Sequence, residues 1–219
     1  MLDRIVHRLI HRRAHGHAAS THPEGGHAGH DLHGDGRFAG EHAERYDRQA
    51  RTRSRSYRRT AREVAALVPD GGHVLDVGTG PGRLLVEIAR ARPDAEVTGV
   101  DVEPAMVELA QRAARAEGLG ERVRVEVANV AELPLEAFSV DAAVATLTVH
   151  HWPDADRAVR ELVRVVRPGG SLLVVDFRSE LDGRFRAALD AAVPGARVRR
   201  ARRWMWGMPV LASWTVTLP

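Results

Sequence analysis

Residues 74–84 read VLDVGTGPGRL, from Val74 to Leu84. The segment His73–Val77 has the apolar content of a strand. Gly82–Ala91 reads as a helix, with Leu84, Leu85 and Ile88 on one side. Between them, Asp76-Val77-Gly78-Thr79-Gly80-Pro81-Gly82 is a turn rich in glycine. Glycines here let the backbone approach a ligand closely and expose amides at a helix start. The spacing is G-x-G-x-G, with an acid two residues before the first glycine. A dinucleotide loop has G-x-G-x-x-G, but the third residue after Gly80 is Arg83.

Strands and helices alternate outward from this turn. Glu96–Val100 reads as the second strand, and Pro104–Glu117 as a helix with proline in its first turn and Gly118 at its end. Val123, Val125 and Val127 alternate as a third strand, and Asp141–Thr146 is a fourth. A helix over about Asp154–Val166 has to stop before Pro168-Gly169-Gly170. Ser171–Asp176 is a fifth strand. A short helix near Asp182–Val193 precedes two last strands near Ala196–Arg203 and Leu211–Leu218. Before the core, the pattern is helical from about Glu41 to Val68, and Pro69-Asp70-Gly71-Gly72 ends it. Alternation of this kind predicts a doubly wound α/β fold, with a mostly parallel sheet and helices on both faces. Its ligands bind at the carboxyl ends of the strands, at the switch point in strand order.

Composition narrows the chemistry. The chain has 219 residues, 44% hydrophobic and 28% charged, which suits one globular domain with an appendage and excludes disorder throughout. It has no cysteine, which excludes disulfides, thiolate metal sites and a cysteine nucleophile. All 32 basic residues are arginine, so a Schiff-base lysine and a P-loop lysine are excluded too. No apolar run approaches the roughly 18 residues of a membrane span, and the expected setting is the cytoplasm.

Charge divides the chain. The net charge of +3 combines basic ends with an acidic middle over residues 63–196. The arginines from Arg51 to Arg62 fit a nucleic-acid surface or a solvated helix face docked on the acidic body. Residues 1–40 form a basic extension rich in His and Gly, expected to be partly disordered. Residues 1–14 are amphipathic and suit peripheral membrane contact or packing on a partner. Nine of the twelve histidines lie in the first 42 residues, but their irregular spacing fixes no ligand geometry, and no metal site is expected.

The candidate site follows the strand ends. Asp101, after the second strand, is placed to accept hydrogen bonds from both hydroxyls of a ribose, each worth about 1.5–3 kcal/mol with water excluded. The alternative is an acid favouring a helix N-terminus. Asn129, after the third strand, can donate and accept toward an adenine edge or form a turn. His150 and His151, just past the fourth strand, are the candidates for a base, or else orient the loop against Trp152.

The phrases VLDVGTGPGRL (74–84), VTGVDVEPAMVELA (97–110), VANVAELP (127–134), VDAAVATLTVHHW (140–152) and RELVRVVRPGGSLLVVDF (160–177) run in order. In them the chain resembles class I S-adenosylmethionine-dependent methyltransferases, close to the small-molecule group that includes quinone-biosynthesis enzymes. The resemblance covers about residues 60–177. It implies a seven-stranded sheet of order 3-2-1-4-5-7-6 with strand seven antiparallel. It implies S-adenosyl-L-methionine as cofactor and a methyltransferase domain over 41–219 with an N-terminal helical cap. Asp76, Gly78, Gly80 and Gly82 would face the methionine part, Asp101 the ribose, and Val102, Asn129 and Val130 the adenine. Thr146 would end the fourth strand near the cofactor. The family usually has Asp where this chain has Asn129.

Tyr46 and Tyr57 lie in the cap that covers the substrate in this family. Trp204, Met205, Trp206 and Met208 are candidates for the lining of the acceptor pocket, or else for core packing or an edge loop. Two other classes stay open from sequence alone. One is a nicotinamide-dependent reductase. The other is a non-catalytic cofactor-binding protein whose basic termini meet nucleic acid, a membrane or a partner chain.

Overall fold

A computed structural model describes residues 41–205 and 208–219. The stretches assigned to a basic extension and to possible metal or membrane contact, residues 1–40, lie outside the described residues, as does Trp206.

Two helices come first, α1 (Glu41–Arg51) and α2 (Ser54–Ala65). The expected helical stretch is divided at Thr52–Arg53, where Arg53 has φ −96° and ψ 12°. The Thr52 and Ser54 hydroxyls each donate to a carbonyl at 2.7 Å, those of Gln49 and Arg51. Short hydroxyl side chains offer the backbone an alternative to the helix in this way.

The alternating part then runs β1 (His73–Val77), α3 (Arg83–Ala91), β2 (Glu96–Asp101), α4 (Pro104–Ala116), β3 (Val123–Val127) and β4 (Val140–Thr146). It continues with α5 (Ala155–Val165), β5 (Val166–Phe177), α6 (Arg186–Ala192), β6 (Arg197–Met205) and β7 (Met208–Thr217). A 3-10 turn, Val149–His151, follows β4. A π-helical turn, Leu181–Phe185, leads into α6 and is interrupted at Gly183, so the regular helix starts later than the sequence pattern suggests.

The sheet order is β3-β2-β1-β4-β5-β7-β6. Strands β1 to β5 pair in parallel, and β7 runs antiparallel to both β5 and β6. This is the expected order. One boundary differs: β5 begins at Val166, opposite Val140, and a bulge carries Pro168-Gly169-Gly170 before Ser171 meets Ala142.

Strand period explains the two covered faces. Leu75, Ala143, Leu172 and Val174 point to the layer formed by α5 and α6, with Val159, Leu162, Phe185 and Leu189. Their neighbours Val74, Ala142, Val144 and Leu173 point the other way, to Val64, Leu85, Ile88, Val107 and Ala110 of α2, α3 and α4. Successive strand residues face opposite sides, so a sheet buried on both faces needs apolar runs. Each Leu or Ile fully buried this way contributes roughly 1.5–3 kcal/mol.

Ion pairs fasten the two leading helices to this body. Arg83 donates to both carboxylate oxygens of Asp47 on α1 at 2.7 Å each. Arg203 on β6, buried, pairs with Glu63 on α2 and donates to Ser213 at 3.0 Å. The exposed arginines Arg55, Arg58, Arg59 and Arg62 lie on α2, whose Ala61 and Val64 pack into the core. These four arginines form an exposed face on a helix docked on the body.

Candidate active site

The switch point in strand order falls between β1 and β4, and the loops leaving their carboxyl ends meet there. Gly78 has φ +63°, and a Cβ on it would come within 2.2 Å of Thr148 Oγ1. Gly82, which caps α3, has φ +74°, and its Cβ would lie 2.8 Å from Ala110 Cα. Only glycine tolerates both the left-handed backbone and this proximity. The loop after β1 is thereby pressed between α4 and the segment after β4.

Asp76, Gly78, Thr79, Gly80 and Thr146 line one pocket, closed from above by Tyr46 of α1 and Tyr57 of α2. Asp76 is 2% exposed and accepts a hydrogen bond from the Thr79 hydroxyl at 2.8 Å. Burial pushes its carboxyl up to about 7; the Thr79 bond opposes the shift and the nearby Asp101 adds to it. Burial also raises Asp101. Its two oxygens accept from Gly80 N at 2.8 Å and Glu103 N at 3.0 Å. Each of those oxygens has a second lone pair.

Thr146 Oγ1 is buried without a hydrogen-bond partner. An unsatisfied buried hydroxyl costs about 1–3 kcal/mol, and a polar ligand group in this pocket would satisfy it. In the cap, burial pushes the Tyr57 phenol up to about 12, with Tyr46 adding to the shift. Burial lowers the Arg53 guanidinium, but Tyr46 and Tyr57 outweigh it and the net direction is upward. Both phenols hydrogen-bond to Arg53.

Farther along the rim, Val102 and Val130 are half-buried after β2 and β3. Asn129 uses its Oδ1 to accept from Ala131 N at 2.9 Å, the local turn weighed from the sequence. Its amide nitrogen is the group left to face a base edge.

Past β4 the structure separates the two histidines. His150 has a side chain 6% exposed, and its Nδ1 lies 2.8 Å from Asp176 Oδ1 at the end of β5. His151 is exposed, its ring tilted 42° against that of His150 with centroids 4.1 Å apart. Asp176 is fully buried and also accepts from Val149 N at 2.8 Å and Phe177 N at 2.7 Å. Arg184 donates to the Trp152 and Val149 carbonyls at 2.7 and 2.8 Å, clamping the turn from outside. Asp176 was not among the residues singled out from sequence. Its signal was present: it closes the apolar run Leu172–Val175 as Asp101 closes β2.

An apolar patch flanks this pair. Phe177, Val210 and Leu211 pack together with Leu147, Met205 and Met208, and Phe177 meets the His150 ring edge-on at 5.2 Å. Leu147 holds φ +56°, a left-handed conformation costing on the order of 1–3 kcal/mol in a residue with a side chain. Trp204 is 68% exposed and lies outside this patch.

Residues 74–170 match the model of the methyltransferase domain family. With its sheet order and its glycine loop over a buried acid, the chain is similar to class I S-adenosylmethionine-dependent methyltransferases, those of quinone biosynthesis among them. It is 39% identical to methyltransferase GfsG of Streptomyces halstedii over 117 residues, 52% of this chain and 42% of that protein. It is 36% identical to a demethylmenaquinone methyltransferase of Thermus thermophilus over 129 residues, 59% of this chain and 57% of that one. The solved structure of a SAM-dependent methyltransferase from Aquifex aeolicus superimposes with a TM-score of 0.62 at 24% identity, over 74% of this chain and 89% of that one, a likeness of fold. The chain spans about half the length of these curated relatives. Methyl transfer, not hydride transfer, is the reaction that all of these names carry.

Proposed function

We propose that the chain methylates a small, largely apolar acceptor that gives up a proton, and that His150 takes that proton. The observation that carries this reading is the buried Asp176–His150 pair, joined through Thr148 to the glycine loop at Gly78. S-adenosylmethionine, when bound, supplies an activated methyl group and so the hard part of the chemistry.

The chain's residues do the rest. Asp101 holds the ribose hydroxyls on its remaining lone pairs. Gly78, Gly80 and Gly82 shape the loop, and Asp76 and Thr146 meet the amino-acid end. Val102, Asn129 and Val130 form the adenine wall. Tyr46 and Tyr57 close the pocket and exclude water. Asp176 accepts from His150 Nδ1–H, which fixes the tautomer and puts the basic lone pair on Nε2. His151, at the surface, has no part in proton transfer.

The patch around Phe177, Leu211 and Met208 supports an apolar acceptor, as does a relative named for demethylmenaquinone. Residues 41–219 hold both functions, and none is assigned to 1–40.

Calorimetry with S-adenosylhomocysteine and, separately, NADPH tests the cofactor: the first binds and the second does not. Labelled methyl incorporation from S-adenosylmethionine into a metabolite extract tests the reaction. Incorporation only into polar acceptors without a dissociable proton would overturn it.

A further inference from the structure

We infer that the outermost strand, β6, is a docking surface for an anionic lipid bilayer, with its arginines on the phosphate headgroups and Trp204 in the interfacial layer. This goes beyond the methyl-transfer reading and does not depend on it.

The charge is one-sided. From Arg197 to Pro219 the sequence has five arginines and no acid. Arg203 is buried and paired with Glu63. Arg197, Arg199, Arg200 and Arg202 are exposed, and among the described residues none of them pairs with a carboxylate. The Arg203–Glu63 pair fastens β6 to α2, which adds the exposed Arg55, Arg58 and Arg62. Glu63 is the one acid of α2, and Arg59 shares it. The two elements form one basic margin.

A basic margin alone attracts any polyanion. Trp204 narrows the class. It is an exposed indole at the end of β6, where the pairing with β7 shifts between Arg203 and Met205. An indole is favoured at a bilayer interface, where its ring meets the apolar layer and its N–H stays wet. Nucleic-acid bases stack on successive aromatic faces, and the described part of this margin exposes one.

The margin also ends beside the apolar rim. β5 and β6 both run antiparallel to β7, so their carboxyl ends point the same way. Leu211 of β7 pairs with Phe177 on one side and Arg203 on the other, which sets Trp204 one residue past the level of Phe177. Met205, the next residue, packs with Met208 against Phe177 and Leu211. Arginines bordering an apolar end suit an anionic membrane surface: the guanidinium groups take phosphate oxygens in paired hydrogen bonds, and the indole enters the boundary.

The test is co-sedimentation of the full chain with vesicles of phosphatidylcholine, with and without roughly one-third phosphatidylglycerol. Binding is expected to the mixed vesicles alone, and is expected to weaken as salt screens the headgroups. Arg199→Gln with Arg202→Gln should lower the partition constant at least about tenfold, or 1.4 kcal/mol. Trp204→Ala should lower it severalfold and keep the salt dependence. Arg112 and Arg115 are exposed on α4, which packs at the β3 end of the sheet. Changing both to Gln should leave partition nearly unchanged. No binding to the mixed vesicles, or equal binding to both kinds, would overturn the surface. Equal weakening by the two arginine pairs would reduce it to net charge, and wild-type binding by the β6 pair would move the contact elsewhere; either outcome sinks it. A gel shift of duplex DNA that persists at a salt concentration releasing the vesicles would assign the margin to nucleic acid instead. Should a variant lose its melting transition, the wild-type lipid dependence and the remaining variants decide.

Discussion

His150 Nδ1 and Asp176 Oδ1 stand 2.8 Å apart and join the turn after β4 to the end of β5. The carboxylate has no exposed surface, and both of its oxygens are engaged by the protein. If His150 is the base proposed above, this contact orients its ring before the acceptor arrives.

His150→Gln is therefore expected to lower kcat by about 10²- to 10⁴-fold, the range for losing a positioned base. Asp176→Asn should lose less and alter the pH profile of kcat. Both should leave S-adenosylhomocysteine affinity nearly unchanged. The measurement is labelled methyl transfer to the acceptor recovered from the extract, with calorimetry beside it. Asp176→Ala also strands two buried amides, and about 3 kcal/mol of stability should go. For a chain of this size, that lowers the melting temperature by about 6–12 °C.

Asp101→Ala should reduce cofactor affinity at least about tenfold, or 1.4 kcal/mol. Two ligand hydroxyls would lose their common acceptor, and Gly80 N and Glu103 N would lose theirs. Calorimetry on a variant with an intact melting transition checks this, and an unchanged dissociation constant would remove Asp101 from the site.

Gly82→Ala combines a left-handed backbone with a 2.8 Å approach to Ala110 Cα. A cost of about 1–3 kcal/mol is expected, along with weaker cofactor binding, because α3 would be pushed from α4 at the loop. Gly118→Ala has a similar φ and open space around it, so it carries the backbone strain alone. The difference between the two melting temperatures isolates the steric part.

Asp76 makes stability depend on pH. Its folded-state value of about 7 lies above the ordinary 3.8, so the folded protein holds a proton that the unfolded chain releases. The resulting stability is complete below about pH 4 and is lost as pH rises through 7. Asp76→Asn should flatten that slope in melting curves from pH 4 to 8. Binding of a cationic amino-acid end runs the other way: affinity for S-adenosylhomocysteine should fall as pH drops below 7, toward about tenfold per unit.

Removing residues 1–36 should leave a cooperative melting transition and cofactor affinity intact. Loss of the transition would show that the extension belongs to the fold.

The sheet was legible because buried parallel strands must be apolar runs, and five of them stand between glycines and helical patterns. Glycine spacing and Asp101 marked the rim for the same local reason. The break at Arg53 was hidden, because a run of arginines looks the same whether one of them turns inward. Asp176 was passed over because its partner, His150, is 26 positions away, and only the β4–β5 pairing brings the two together. Trp204 reads beside Met205 as pocket lining, core packing or an edge, and it stands 68% exposed on the outermost strand.

β6 ends the sheet, and an outermost strand invites another strand to dock on its unpaired backbone. Here that border carries Arg197, Arg199, Arg200 and Arg202, all exposed. Guanidinium groups keep their charge at any physiological acidity, so two copies approaching border to border repel each other. Among the described residues, this outer margin of the sheet thus carries its own safeguard against fibre growth.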